Sequence, residues 1–234
     1  MSGGPRVVLL DVEGTTTPVD FVYRVLFPYA QARMAAFLAA HASEPEVAAD
    51  VAALRAEHER DCAAGRTPPA WEAGPAAYTG WLTEQDRKLT ALKSLQGRIW
   101  AEGFARGELR GQVYPDVPPA LRRWTGAGRR VAIFSSGSVL AQKLLFGHSD
   151  QGDLSPLLSG YFDTTTGPKR EASSYARIAD ALGTPPAEAL FVSDVVAELD
   201  AARAAGFTTA LAVRAEPGPP ANGHARITTF DALA

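Results

Sequence analysis

Two hydrophobic rhythms divide this chain. Val7–Leu10 is an unbroken apolar run, too short for a helix and β-branched at its start, and it stops at Asp11. That pattern predicts a buried strand of a parallel sheet. From Phe27 the period changes, and Phe27, Ala30, Met34, Phe37 and Leu38 recur at helical spacing. Glu46–Arg60 reads as a second, alanine-rich helix. Ala63–Ala77 is interrupted by Gly65, Pro68, Pro69, Gly74 and Pro75 and reads as a loop. Ala76–Glu84 and Leu89–Gly103 read as helices, the latter with Leu92, Leu95, Ile99 and Trp100 along one side, a stripe best explained as helix packing. No convincing strand falls between Pro18 and Arg110. A helical block of about ninety residues is longer than a crossover, so an inserted domain is expected.

The strand–helix alternation resumes at Gln112–Val117. Pro118–Trp124 is a helix opened by prolines and closed near Gly126 and Gly128. Val131–Phe134 is a second buried strand, ending in Ser135-Ser136-Gly137-Ser138, and Val139–Phe146 is its helix. Tyr161-Phe162 fits a short strand before Thr164–Gly167. Ser173–Leu182 is a helix. Ala189–Val192 is a third strong strand, ending in Ser193-Asp194, followed by the helix Glu198–Ala205, a stop at Gly206 and a strand at Thr209–Val213. Alternation of this kind predicts a doubly wound parallel sheet. Glu216–Gly223 is rich in Pro and Gly and reads as a surface loop.

Composition removes several classes of function. At 234 residues the chain can bury a substantial core, and 46% hydrophobic with 21% charged residues is the balance of a globular protein. A net charge of −3 argues against a nucleic acid or an anionic membrane as partner. Cys62 is the single cysteine, so no intrachain disulfide forms and a reducing compartment fits. Cys62, His41, His58, His148 and His224 show no zinc spacing. MSGGPR lacks the apolar core of a signal peptide, and no stretch approaches the roughly 20 apolar residues that span a bilayer. The chain is expected to be cytoplasmic and, with no interface motif evident, a monomer.

The three strongest strands all end abruptly in polar residues: Asp11 and Glu13, Ser135 and Ser136, and Asp194. In a parallel sheet those ends share one edge, where ligands bind. Asp11 and Asp194, with Glu198 as a candidate third member, would form a hard, anionic oxygen cluster suited to Mg²⁺ with phosphate oxygens and water. A carboxylate can also attack phosphorus to give an aspartyl-phosphate. Ser135 and Ser136 either cradle a phosphate at the start of the next helix or simply cap that helix. Lys169 either places a point charge on a phosphoryl group or lies in solvent. Glu13 is placed to protonate a leaving oxygen and then activate water. Asp11 could instead cap a turn, and Glu198 could complement a helix N-terminus.

The ordered set Asp11-Val12-Glu13-Gly14-Thr15, Ser135/Ser136, Lys169 and Asp194 resembles the four motifs of the haloacid dehalogenase-like hydrolases. LLDVEGTTTPVDFV, LFPYA, LKSLQGRIW, FSSGSVLAQKLLFGH, GYFDT and FVSDV are similar to the enolase-phosphatase (acireductone synthase) branch of methionine salvage, over nearly the whole chain. The resemblance implies a Rossmann-like core, residues 1–18 and 112–234, with an all-helical cap at 19–111. It also implies one Mg²⁺ per chain and a bifunctional reaction. The substrate, 5-methylthio-2,3-dioxopentyl phosphate, would be enolised and then dephosphorylated to 1,2-dihydroxy-5-(methylthio)pent-1-en-3-one.

By position, the resemblance makes Asp11 nucleophile and metal ligand, and makes Glu13 a metal ligand, through its carbonyl, and an acid/base. Ser135 and Ser136 bind the substrate phosphate, Lys169 is catalytic and binds substrate, and Asp194 binds metal. Glu198, or failing it Asp200, completes the acidic cluster. The enolisation base is open. Glu13 could serve, or Lys88, Lys93 and Gln96 of the cap could orient the diketone, or these three could lie on an exposed helix face. A general small-metabolite phosphatase is the alternative enzyme, distinguished by the absence of an enol intermediate. A dehalogenase fits less well because Glu13 supplies the second carboxylate. A binding module would show Mg²⁺-dependent phosphate binding without turnover.

Overall fold

The computed structural model describes residues 4–215 and 217–233. The first three residues of MSGGPR, and Glu216 of the Pro/Gly-rich tail, therefore lie outside the described residues. The chain divides into two compact units: Met1–Phe21 with Arg110–Ala234, and Val22–Leu109.

The first unit is built on a six-stranded, all-parallel sheet of order β3-β2-β1-β4-β5-β6. Its strands are β1 (Val7–Leu10), β2 (Arg130–Phe134), β3 (Gly160–Phe162), β4 (Ala189–Ser193), β5 (Thr208–Ala212) and β6 (Ala225–Ile227). The central strand VVLL is wholly buried, as a strand covered on both faces must be. The chain builds outward from β1 through β2 to β3, then returns to the other side of β1 with β4. The reversal of strand order between β1 and β4 opens the crevice in which such sheets bind ligands.

Helix α1 (Val19–Phe21) leads out of this unit into a π-helical turn at Val22–Leu26, which continues as α2 (Phe27–Ala40). Helices α3 (Pro45–Ala63), α4 (Pro75–Glu84) and α5 (Thr90–Ala105) complete the second unit, which is helical throughout its regular elements. Leu92, Leu95, Ile99 and Trp100 of α5 are all buried, and the Trp100 indole N–H donates to the Leu26 carbonyl at 2.8 Å. Asp61 of α3, fully buried, accepts from the Tyr78 hydroxyl at 2.7 Å and pairs with Arg66 and Arg87. A buried carboxylate is tolerable only with partners of this kind.

Back in the sheet unit, α6 (Val117–Gly126) packs on β2 and α7 (Val139–Gly147) on β3. Helix α8 (Ala172–Ala181) packs on α9 (Val196–Ala204), which in turn lies on β4 and β5. The apolar core between them joins Val7, Leu9, Phe134, Tyr175, Phe191 and Leu199.

Two local expectations differ. Gln112–Val117 does not restart the sheet: Gly111 forms only an isolated bridge with Ser149, and the Tyr114 N–H donates to the Thr16 carbonyl at 2.9 Å. Pro115 has no N–H to offer a ladder, so the segment passes beside the first loop and enters α6 directly. Strand β6 is an addition. Ala225 and Arg226 are exposed and only Ile227 is buried, so this edge strand has no apolar run to announce it.

Candidate active site

Register explains the first contacts. Leu10 pairs with Val192 of β4 and Ile133 of β2, so the next residues along are Asp11, Ser193 and Phe134, side by side. Residues in register on neighbouring strands project to the same face. The Ser193 hydroxyl accordingly meets Asp11 Oδ2 at 2.9 Å, while the Val12 N–H donates to Asp11 Oδ1 at 2.7 Å.

Lys169 enters from the loop between β3 and α8. The Tyr175 hydroxyl and the Ser174 hydroxyl of α8 donate to the carbonyls of Lys169 and Pro168, each at 2.7 Å, and so fix the approach of that loop. The ammonium lies 5.8 Å from the Phe134 ring centroid, 2.6 Å from Asp11 Oδ1 and 2.6 Å from Glu198 Oε2. Lys169, Asp11 and Glu198 are each no more than 9% exposed, which settles the open reading of Lys169 against a solvated side chain.

After Asp11 the chain makes a compact turn. The Val12 carbonyl accepts from the N–H groups of Thr15, Thr16 and Thr17, the Gly14 N–H donates to the Thr17 carbonyl, and the Thr16 hydroxyl donates back to the Asp11 carbonyl at 3.0 Å. Gly14 takes φ +71, and a β-carbon there would collide with the Asp194 carboxylate. Glycine is needed for both reasons. Glu13, on this turn, accepts from the Ser135 hydroxyl at 3.2 Å.

Ser135 is 1% exposed, and its Oγ also accepts from the Gly137 N–H at 3.0 Å. The helix cap is a different residue: Ser138 Oγ accepts from the Ala141 N–H at 3.3 Å. Ser135 and Ser136 are thus left to the loop between β2 and α7, with Ser136 partly exposed. Gln142 of α7 braces that loop, donating to the carbonyls of Gly137 and Phe162, each at 2.9 Å.

Burial and mutual repulsion dominate the electrostatics. Burial, reinforced by the charge of Asp11, pushes Asp194 up to about 6 and Glu198 up to about 7, the latter despite the opposing Lys169 ammonium and Ser193 hydroxyl. Glu13 is raised by the same two causes, against Lys169 and Ser135. Burial would discharge Lys169, but the Asp11 and Glu198 charges outweigh it and hold the ammonium protonated. The sheet edge therefore carries more carboxylate than its lysine balances. Asp194 Oδ1 is buried with no hydrogen-bond partner, an anionic acceptor that a cation would satisfy. Among the described residues no three or more His, Cys, Asp or Glu side chains are arranged to enclose a metal by themselves. Two carboxylates, Asp11 and Asp194, leaving other positions to water and phosphate, match the habit of Mg²⁺.

Direct contacts join Asp11, Lys169 and Glu198 in one chain and Glu13 to Ser135 in another; the charges of Asp11 and Lys169 act on Glu13, and Asp194 lies against Gly14. Asp200 belongs elsewhere, bonded to Arg203, Asn222 and His224. In the helical unit Gln96 is 5% exposed and donates to the Thr83 hydroxyl at 3.3 Å, whereas Lys88 is exposed beside Asp86. Ser193 is the contact that sequence reasoning passed over. Its signal is a hydroxyl one residue before a strand-end aspartate, informative only once β4 is known to flank β1.

The model of the haloacid dehalogenase-like hydrolase family matches residues 5–206. An enolase-phosphatase E1 of Synechococcus elongatus is 59% identical over 209 residues, 88% of each chain. This chain belongs to the enolase-phosphatase branch of the haloacid dehalogenase-like hydrolases. The Azotobacter vinelandii enolase-phosphatase E1 is 50% identical over 228 residues, 97% of this chain and 96% of its own. The crystal structure of the UTR4 protein of Saccharomyces cerevisiae aligns with a TM-score of 0.79 at 33% identity, covering 98% of this chain and all of that one. A dehalogenase crystallised as an intermediate complex, 21% identical with a TM-score of 0.57, shares the fold. Among the described residues, no helix is long and apolar enough to cross a membrane.

Proposed function

We propose that this chain is a Mg²⁺-dependent enolase-phosphatase that converts 5-methylthio-2,3-dioxopentyl phosphate to 1,2-dihydroxy-5-(methylthio)pent-1-en-3-one and inorganic phosphate. The observation that carries the reading is the buried Asp11–Lys169–Glu198 ion-pair chain, with Glu13 beside it, at the switch point of the sheet. Extensive identity to enolase-phosphatases supports the substrate class.

In this reading Asp11 is the nucleophile. Lys169 and the Val12 N–H on Oδ1 and the Ser193 hydroxyl on Oδ2 orient its carboxylate. Asp11 attacks phosphorus to form an aspartyl-phosphate, and the C–O oxygen of the substrate departs. Glu13, whose burial favours the protonated acid, gives its proton to that oxygen and then takes one from the water that cleaves the aspartyl-phosphate. Ser135 and Ser136 hold phosphoryl oxygens, and Lys169 offsets their charge. Asp11, Asp194 and the Glu13 carbonyl would hold the Mg²⁺, which supplies charge neutralisation at the phosphoryl group. Glu198 anchors Lys169. For the enolase step, which comes first, Glu13 in its ionised form is the base that removes the proton next to the carbonyl, and that proton is the one it then gives to the leaving oxygen. The helical unit, residues 22–109, serves as the cap domain, and the chain acts as a cytoplasmic monomer.

Ultraviolet absorbance of the enol and release of phosphate, followed together on the diketone phosphate with Mg²⁺ or with a chelator, test the whole reading. Enol absorbance that precedes phosphate, both requiring Mg²⁺, is expected. Phosphate release without any enol, matched by turnover of sugar phosphates, would instead establish a general phosphatase.

A further inference from the structure

Arg214 lies two residues past β5, and two of its guanidinium nitrogens, Nε and Nη1, bind the loop that carries Glu13 and what holds that loop, while Nη2 is buried with no hydrogen-bond partner. Nε donates to the Thr15 carbonyl at 2.9 Å. Nη1 donates to Asp116 Oδ2 at 2.8 Å and to the Thr228 carbonyl at 3.2 Å. The ion pair is buried, with Arg214 and Asp116 side chains 8% and 11% exposed. The guanidinium carbon sits 4.4 Å from the Tyr114 ring centroid and 4.6 Å from that of Phe230. Asp116 Oδ2 also accepts from the Phe230 N–H at 2.6 Å, and the Tyr114 N–H holds the Thr16 carbonyl at 2.9 Å.

Thr15 is a junction. Its N–H is committed to Val12 inside the turn, and its carbonyl is gripped from outside by Arg214. A planar guanidinium can grip a carbonyl and a carboxylate at once while its faces pack on rings; a lysine ammonium cannot reproduce that fork. We propose that Arg214 is a positioning residue: it fixes the Val12–Thr17 turn, and through it the placement of Glu13 against Ser135, without touching substrate. The inference rests on the reading of Glu13 as acid/base.

The test is Arg214→Ala, with Arg214→Lys as the variant that keeps charge. Folding is checked by thermal melting, and hydrogen–deuterium exchange is read in the peptide spanning residues 11–18. A fall in kcat of about 10–100-fold is expected, the range for residues that orient a ligating group from behind. KM should stay within about threefold, since substrate contacts are intact. Exchange should speed up in the 11–18 peptide, and methylguanidinium in solution should restore part of kcat to Arg214→Ala by occupying the vacated slot beside Tyr114 and Phe230. If Arg214→Ala does not fold, Arg214→Lys carries the same expectations for kcat, KM and exchange. A folded variant with kcat within about twofold of wild type, or a loss that follows the folded fraction alone, overturns the proposal. Should the wild-type protein fail to turn over the diketone phosphate, the proposed function falls, while the exchange measurement still decides whether Arg214 holds the turn.

Discussion

Gly14 and Asp194 occupy space that one further carbon would deny them: a β-carbon on Gly14 would run into the Asp194 carboxylate, on a backbone already at φ +71. Gly14→Ala therefore either displaces Asp194 or opens the turn. The left-handed backbone adds about 1–2 kcal/mol of strain. We expect kcat to fall on the order of 10²-fold, as for small displacements of reacting groups, together with the Mg²⁺-induced rise in Tm. Phosphate-release kinetics and melting curves check both, and a variant that keeps its Mg²⁺ response would show that Asp194 tolerates the intrusion.

Replacing Glu13, the proposed acid/base, isolates its two tasks. Glu13→Gln keeps the hydrogen bond from the Ser135 hydroxyl but carries no titratable proton. Phosphate release should slow by about 10²–10⁴-fold, the range for general acid–base catalysis, and enol formation should slow with it. Stopped-flow absorbance separates them: enol accumulating at the wild-type rate would assign the enolisation base to another group.

Metal and pH are coupled here with a definite sign. Burial and Asp11 raise Asp194 to about 6 and Glu198 to about 7 in the metal-free protein. Between the ordinary carboxylate range near ~4 and those values the folded chain binds more protons than the unfolded chain, so stability falls as pH rises. Mg²⁺ needs the ionised carboxylates and so acts in the opposite direction. The Mg²⁺-induced increase in Tm, measured against a chelator control, should be larger at about pH 8 than at about pH 5. An increase of equal size at both pH values contradicts the coupling.

The helical unit offers an independent stability test. Asp61 is buried, yet the Tyr78 hydroxyl, Arg87 and Arg66 outweigh burial and hold its carboxyl below the ordinary range. A depressed carboxyl contributes stability above its unfolded pKa, and that contribution is lost as pH falls through the folded value. Asp61→Asn removes the charge partner of the half-exposed Arg66 and one of the two partners of Arg87, which keeps Glu57, and should cost about 1.5–3 kcal/mol, as losing hydrogen bonds to a charged group does. Urea unfolding at neutral and acidic pH measures it; the variant should also lose part of the acid sensitivity of wild type.

Much of this architecture was legible because the central strands advertise themselves. Val7–Leu10, Arg130–Phe134 and Ala189–Ser193 are apolar runs that end in the residues of the site, and the parallel sheet brings those ends to one edge. What stayed hidden depends on register and on partners distant in sequence. Ser193 reads as a loop hydroxyl until Leu10 is paired with Val192. Gln96 reads equally as a group that orients the diketone or as one on an exposed helix face, and its amide instead donates to the Thr83 hydroxyl inside the helical unit. Lys169 and Glu198 are ambiguous singly, and only their shared contact removes the ambiguity. Strand β6 escaped because Ala225 and Arg226 face solvent, so pairing with β5, not an apolar pattern, defines it.

The position of β1 has a consequence for biosynthesis. It is synthesised before both of its hydrogen-bonding neighbours, β2 and β4, which are encoded far downstream of Asp11. The helical unit lies between and draws on its own contacts, so it can be complete while VVLL still has nothing to pair with. Such long-range pairing is slow and leaves an apolar segment exposed to aggregation. Nascent chains arrested before Arg130 should therefore hold a folded helical unit and a protease-sensitive Val7–Leu10 segment, with the surroundings of Asp11 assembled among the last parts of the molecule.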